Sequence, residues 1–101
     1  MDFKIKATQM ELTPAIEAVV NKKIGGLTKY FNQIIRAEVE VGLTTRHHQT
    51  GDIFYAEANL AVPKKVIRAE ALTDDLYKSI NQVKDKLKIE LIKYKETLRG
   101  E

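Results

Sequence analysis

The sequence predicts an α+β domain of order β-α-β-β-β-α, a four-stranded sheet with two helices on one face. Three observations predict it. Several short segments alternate apolar and polar residues at a period of two, as half-buried strands do. Two longer segments repeat apolar residues at steps of three and four, as one-sided helices do. No linker, internal repeat or low-complexity segment divides the 101 residues, so residues 1–101 read as one domain. One-sided helices and alternating strands bury their apolar faces most simply as two layers.

Asp2 to Thr8 is the first strand, with Phe3, Ile5 and Ala7 opposing Lys4, Lys6 and Thr8. Thr13 and Pro14 then open a helix, Thr13 as cap and Pro14 at the first helical position, where its missing amide costs nothing. Ile16, Val19, Val20, Ile24 and Leu27 form its stripe, with Phe31 placed to close it. Gly25 and Gly26 weaken it by about 1 kcal/mol each against Ala, but the apolar spacing crosses them. One helix to about Tyr30 is therefore expected. Ile35 to Thr44 alternates again, and the polar run Thr45 to Asp52 reads as a hairpin loop. Phe54 to Val62 is the third strand. Pro63-Lys64-Lys65 is a tight turn, and Val66 to Ala71 is a short fourth strand. The crossover through the first helix makes strands one and two parallel; the others form an antiparallel meander. The outer sheet face is polar and of mixed charge.

Leu72 to Arg99 supplies the second helix. Thr73 is its expected cap, and Asp74 and Asp75 set negative charge at the positive end of the helix dipole. Leu76, Ile80, Val83, Leu87, Leu91, Tyr94 and Leu98 form a continuous apolar face. Lys78, Lys84, Lys86, Lys88, Lys93 and Lys95 lie on the remaining surface.

The totals exclude several classes. There is no cysteine, hence no disulfide framework and no thiolate chemistry. MDFKIKATQM lacks the apolar run and cleavage site of a signal peptide, and no apolar run approaches a membrane span, so a cytoplasmic protein without membrane partners is expected. Gly25-Gly26 is not followed by the Lys-Ser/Thr of a phosphate loop. His47 and His48 are adjacent and have no second ligand at helical spacing, so they read as solvated loop residues rather than a metal site. Helix-end electrostatics accounts for Asp74 and Asp75. No catalytic residue, metal, cofactor or small-molecule substrate is expected, and the chain does not read as an enzyme.

The net charge of +3 is unevenly placed: +2 in residues 1–34, −2 in 35–75 and +3 in 76–101. Segregation of this kind marks an electrostatic docking face, with a merely solvated lysine surface as the plain alternative. At about 100° per residue, Lys86 and Lys93 share one flank of the last helix; Tyr77, Lys84, Lys88 and Lys95 share the other. In the first helix Lys22 and Lys29 share a face, with Lys23 nearer the apolar edge. With both helices on one sheet face, their backs would form a broad basic surface suited to RNA phosphates. Tyr77 and Tyr94 could stack a base, but helical spacing favours core or core-edge packing for both. The sheet face lacks the paired aromatics of a single-strand RNA reader.

The opening FKIKATQMELTPAIEAVVNKKI and the run DDLYKSINQVKDKLKIELIKYK closely resemble the bacterial ribosome hibernation-promoting factors. That family includes the ribosome-associated translation inhibitor, and its members have also been called sigma-factor modulation proteins. The most specific part is acid-x-Tyr at a helix start followed by D-K-L-x-x-x-L-x-K-x-K, here Asp75 to Lys95. The resemblance implies a fold similar to double-stranded RNA-binding domains. It also implies binding to the small ribosomal subunit and its ribosomal RNA in the decoding channel, where messenger RNA and transfer RNA would lie, silencing translation in stationary phase or stress. Carried over by position, Lys86, Lys93 and Lys95 match the family's basic helix. Lys22, Lys23 and Lys29 lie on its basic first helix, and Asp75 and Tyr77 match the signature. Ile89, Gly26 and Glu17 stand where relatives often carry a basic residue, with Lys29 and Lys88 placed to compensate. Without the linker and second domain of the long forms, the sequence resembles the short form, which acts with a separate ribosome-dimerisation factor. Two other readings remain open: a general double-stranded RNA-binding module, and a protein-interaction module, for example on a sigma factor, using Glu38, Glu40 and Glu57.

Overall fold

The computed structural model describes residues 1–44, 51 and 53–100. The elements run β1 (Asp2–Thr8), α1 (Pro14–Gly25), a 3₁₀ turn (Gly26–Lys29), β2 (Arg36–Leu43), β3 (Phe54–Val62), β4 (Lys65–Thr73) and α2 (Leu76–Gly100). The sheet order is β1-β2-β3-β4, with β1 and β2 parallel and the other neighbours antiparallel. The loop expected over residues 45–52, with His47 and His48, lies outside the described residues except for Gly51.

Alternation decides which side chains enter the core. Ala37, Val39 and Val41 of β2, Ala56, Ala58 and Leu60 of β3, and Ile67, Ala69 and Ala71 of β4 share one face and are buried. Both helices join the same cluster, α1 through Ile16, Val20 and Ile24, and α2 through Leu76, Ile80, Val83, Leu87, Leu91 and Tyr94. α2 packs mainly over β4 and β3. There the inward cross-strand pairs include the small Ala58–Ala69 and Ala56–Ala71, under a helix whose Leu87 and Leu91 are fully buried. α1 covers the β1 side, where Gly25 comes near the Phe3 ring.

Four expectations are corrected. The first helix does not run unchanged to Tyr30: α-helical geometry ends at Gly25 and a 3₁₀ turn follows. Two consecutive glycines hold the α conformation weakly, and a tighter last turn is a common way to finish such a helix. β4 is not short. Pro63 and a positive φ of 67° at Lys64 make a two-residue turn of type II character, which places Lys65 directly opposite Val62 and extends pairing to Phe54–Thr73. Thr73 does not cap α2. Its hydroxyl is buried and lies 2.7 Å from Ser79 Oγ, while Asp75 Oδ1 accepts from the backbone amides of Tyr77 (2.8 Å) and Lys78 (3.2 Å). A carboxylate nearer the first turn reaches two unpaired amides that Thr73, committed to the sheet, cannot. Leu98 is 48% exposed, because the last turns of α2 carry it away from the apolar cluster.

The cap expected at α1 is present: Thr13 Oγ1 accepts from the Ile16 amide at 3.2 Å, and Pro14 is the first helical residue. The outer sheet face is mixed in charge, as its sequence suggests. Arg68 bridges Glu57 and Glu70, and Arg36 pairs with Glu38.

A candidate RNA-binding face on the helical layer

The four strands hold five basic and five acidic residues; the helices and the 3₁₀ turn hold ten basic and four acidic. Excess positive charge therefore belongs to the helical layer. On the sheet face, arginines neutralise carboxylates within the sheet. On the helical layer, Lys84 pairs with Asp85 (2.6 Å) and Lys93 with Glu90 (3.6 Å). Among the described residues, Lys22, Lys23, Lys29, Lys88 and Lys95 have no carboxylate within ion-pairing distance.

The two flanks of α2 differ in their surroundings. Lys86 donates to the Glu70 carbonyl at 2.7 Å, so its flank overlooks the free edge of β4. By helical spacing Lys93 lies on that flank too. Ile89, 54% exposed, stands near it, beside a shallow depression of about 550 Å³ between α2 and β4. The other flank faces the end of the first helical segment. There the Lys88 ammonium lies 4.9 Å from the centre of the Tyr30 ring, and the Lys29 ammonium 5.2 Å from the same centre. Lys84 and Lys95 share this flank with Lys88 by spacing. Lys22 is exposed and Lys23 half-buried on α1. The structure thus brings Lys29 and Lys88 together from different elements, and leaves Lys86 and Lys93 on the far side of α2.

The tyrosines divide in an unexpected way. Tyr94 is buried, meets Phe31 edge to face at 5.3 Å between ring centres, and donates to the Pro63 carbonyl oxygen. It is core, as its spacing suggests. Tyr77 is not: it is 47% exposed, and its backbone amide donates to Asp75 Oδ1. Tyr30, which sequence reasoning passed over, is the aromatic among the cations. The neighbouring Lys88 ammonium draws its phenol pKa below the ordinary value, against the opposing effect of burial and with help from Lys29. The signal was present as a Lys-Tyr-Phe triplet just after the glycine pair, but nothing local says which neighbour the ring will meet.

Two polar clusters were also not foreseen. Ser79 is fully buried; its hydroxyl donates to the Phe54 carbonyl at 2.7 Å and adjoins Thr73. On the outer sheet face, Glu40 Oε2 accepts from Thr8 Oγ1 and Tyr55 OH, each at 2.6 Å. Those two bonds hold the Glu40 carboxyl below its ordinary pKa. Burial and the same carboxylate push the Tyr55 phenol up. Among the described residues no group of three or more His, Cys, Asp or Glu is placed to hold a metal ion, and no helix is long and apolar enough to cross a membrane.

What a helical layer with excess positive charge over a self-neutralised sheet can do chemically is bind a polyanion. The chain belongs to the Sigma 54 modulation protein / S30EA ribosomal protein family, whose model matches residues 3–99. It is 36% identical over 93 residues to a ribosome hibernation promotion factor of Lactococcus lactis subsp. cremoris, covering 92% of this chain and 49% of that protein. A ribosome hibernation promotion factor of Bacillus subtilis is 28% identical over 95 residues, with 94% and 49% covered. The chain thus spans about half the length of the curated relatives it matches. Among solved structures, the N-terminal domain of Thermus thermophilus Protein Y superposes with a TM-score of 0.81 at 26% identity, covering 93% of this chain and 99% of that one. A ribosomal subunit interface protein from Coxiella burnetii gives 0.83 at 23% identity, with 95% and 99% covered, a likeness of fold.

Proposed function

We propose that this chain is a ribosome hibernation factor that docks its helical layer on ribosomal RNA of the small subunit. In the decoding channel it would occupy the place of messenger and transfer RNA and silence translation in stationary phase or stress. The observation that carries this reading is the segregation of charge: ten basic residues against four acidic on the helical layer, and an even balance on the sheet. Family membership supplies the ribosome as the polyanion. Lys22, Lys23, Lys29, Lys84, Lys86, Lys88, Lys93 and Lys95 are the contacts proposed. Asp75 acts indirectly, by capping the helix that carries five of them. A separate dimerisation factor is a further partner in this proposal, and the site of action is the cytoplasm.

The test is sedimentation of small subunits with bound protein at rising salt. Binding carried by lysine–phosphate contacts should weaken by orders of magnitude between about 50 and 200 mM salt. Replacing Lys86 and Lys93 together by Glu should abolish co-sedimentation; unchanged binding would remove the sheet-edge flank of α2 from the interface. Free duplex RNA serves as competitor. A general double-stranded RNA-binding module would be displaced by it at equal phosphate concentration, whereas a subunit-specific factor would not.

A further inference from the structure

At the seam between the two helical segments, Lys29 and Lys88 reach the same aromatic ring from different parts of the chain. Both ammonium groups lie within 5.2 Å of the Tyr30 ring centre. Neither has a carboxylate partner among the described residues. Tyr30 itself is half-buried and packs against the apolar core, so the ring is fixed by the fold rather than by the lysines.

Each ammonium is attracted to the ring's negative face and to the phenol oxygen, and two like charges gathered at one ring repel each other. The ring offsets part of the repulsion but leaves both positive charges in place. An anion that touches both ammonium groups would relieve the rest. Lysine ordinarily approaches phosphate as a mobile point charge on a flexible stem, and ordering that stem opposes binding. Here both ammonium groups have a fixed ring to rest against before any ligand arrives. An aromatic face already attended by cations is a poor platform for a base. The pair of cations is a good seat for one phosphate.

We infer that Lys29, Tyr30 and Lys88 form a single pre-organised seat for an RNA phosphodiester, in which Tyr30 is a positioning residue that gathers the two lysines. This rests on the small-subunit reading above and assigns one place within it. It also gives the switch from α-helix to 3₁₀ turn at Gly26 a consequence: the turn ends at Lys29 and its C-cap is Tyr30, which delivers Lys-Tyr to the flank of α2 where Lys88 projects.

The experiment measures small-subunit affinity, by fluorescence anisotropy of labelled protein over a range of salt, for the full chain and for Tyr30→Leu, Tyr30→Phe, Lys29→Met, Lys88→Met and the double variant Tyr30→Leu/Lys88→Met. Thermal unfolding checks that each variant is folded. Lys29→Met and Lys88→Met should each lower the slope of log affinity against log salt by about one. Tyr30→Leu should weaken binding by about 3- to 10-fold although it removes no charge, since disordered lysines must then be ordered on binding. In that background Lys88→Met should cost far less than it does with Tyr30 present. Tyr30→Phe keeps the ring's packing and its attraction for cations, so it should fall between wild type and Tyr30→Leu; it is the informative variant if Tyr30→Leu does not fold. An unchanged affinity in both Tyr30 variants overturns the inference. So does a weaker Tyr30→Leu in which Lys88→Met keeps its full effect, the result expected of a base stacked on the ring. A wild-type protein that fails to bind small subunits overturns the inference and the ribosomal reading together; wild-type binding with silent Tyr30 variants overturns the inference alone.

Discussion

At Gly42 the fold leaves no room for even a methyl group. A Cβ there would stand 2.6 Å from the Thr8 carbonyl oxygen and 2.8 Å from the Tyr55 ring and hydroxyl. The Tyr55 ring lies across this gap so that its hydroxyl can reach Glu40, which also accepts from Thr8. The glycine therefore serves close approach between β1, β2 and β3, not a special backbone angle. Because one of the clashing atoms is backbone, the neighbour cannot simply swing aside. Gly42→Ala should lose about 1–3 kcal/mol of stability, read as a lower urea midpoint with unchanged slope. An unaltered midpoint would show that β1 can shift away from β2 at this level without loss.

Between β4 and the start of α2, each polar side chain has a distinct task. Thr73 ends the strand and bonds to Ser79. Ser79 satisfies the Phe54 carbonyl of the neighbouring strand. Asp74 pairs with Lys78 at 3.4 Å on the exposed surface, a contact of small energetic value. Asp75 holds the first turn through two amides. The acid-x-Tyr signature is thus, at its acid, a helix cap. Asp75→Ala should cost about 1 kcal/mol and Asp74→Ala less than about 0.5 kcal/mol, in equilibrium urea denaturation of the two variants side by side. Equal costs would return the effect to the helix dipole alone, to which both aspartates contribute.

The whole molecule is 47 Å long and polar in charge, basic on the helical layer and neutral on the sheet. α2 contributes most of that asymmetry. Its 25 residues span about 37 Å at 1.5 Å each, so its lysines form a ridge and not a patch. If the helical layer is the docking face, removing acids from the sheet should hardly matter. Glu38→Gln with Glu70→Gln should leave small-subunit affinity within about 2-fold and its salt slope unchanged, because neither side chain meets a phosphate. A loss of binding would move the interface to the sheet and favour the protein-interaction reading, in which acidic residues such as Glu38 do the work.

Much of this was legible in the sequence, for local reasons. Period-two alternation placed four strands, and steps of three and four placed two helices, because these patterns follow from backbone geometry alone. Thr13-Pro14 announced its helix because a cap acts within three residues. The family resemblance rested on runs that are themselves local. What the sequence left open was how far pairing extends and which side chains from distant segments meet. β4 reached Thr73 because a two-residue turn set its register against all of β3. The cap passed from Thr73 to Asp75 because burial drew Thr73 to Ser79. The eight lysines could be named from spacing, yet their division between a sheet-edge flank and an inter-helix seam depended on where α2 lies over β3 and β4. Tyr30 met both Lys29 and Lys88 only when both helices packed on one sheet face. A ring and an ammonium nearly sixty residues apart in the chain are brought together by tertiary packing, since no periodicity links them.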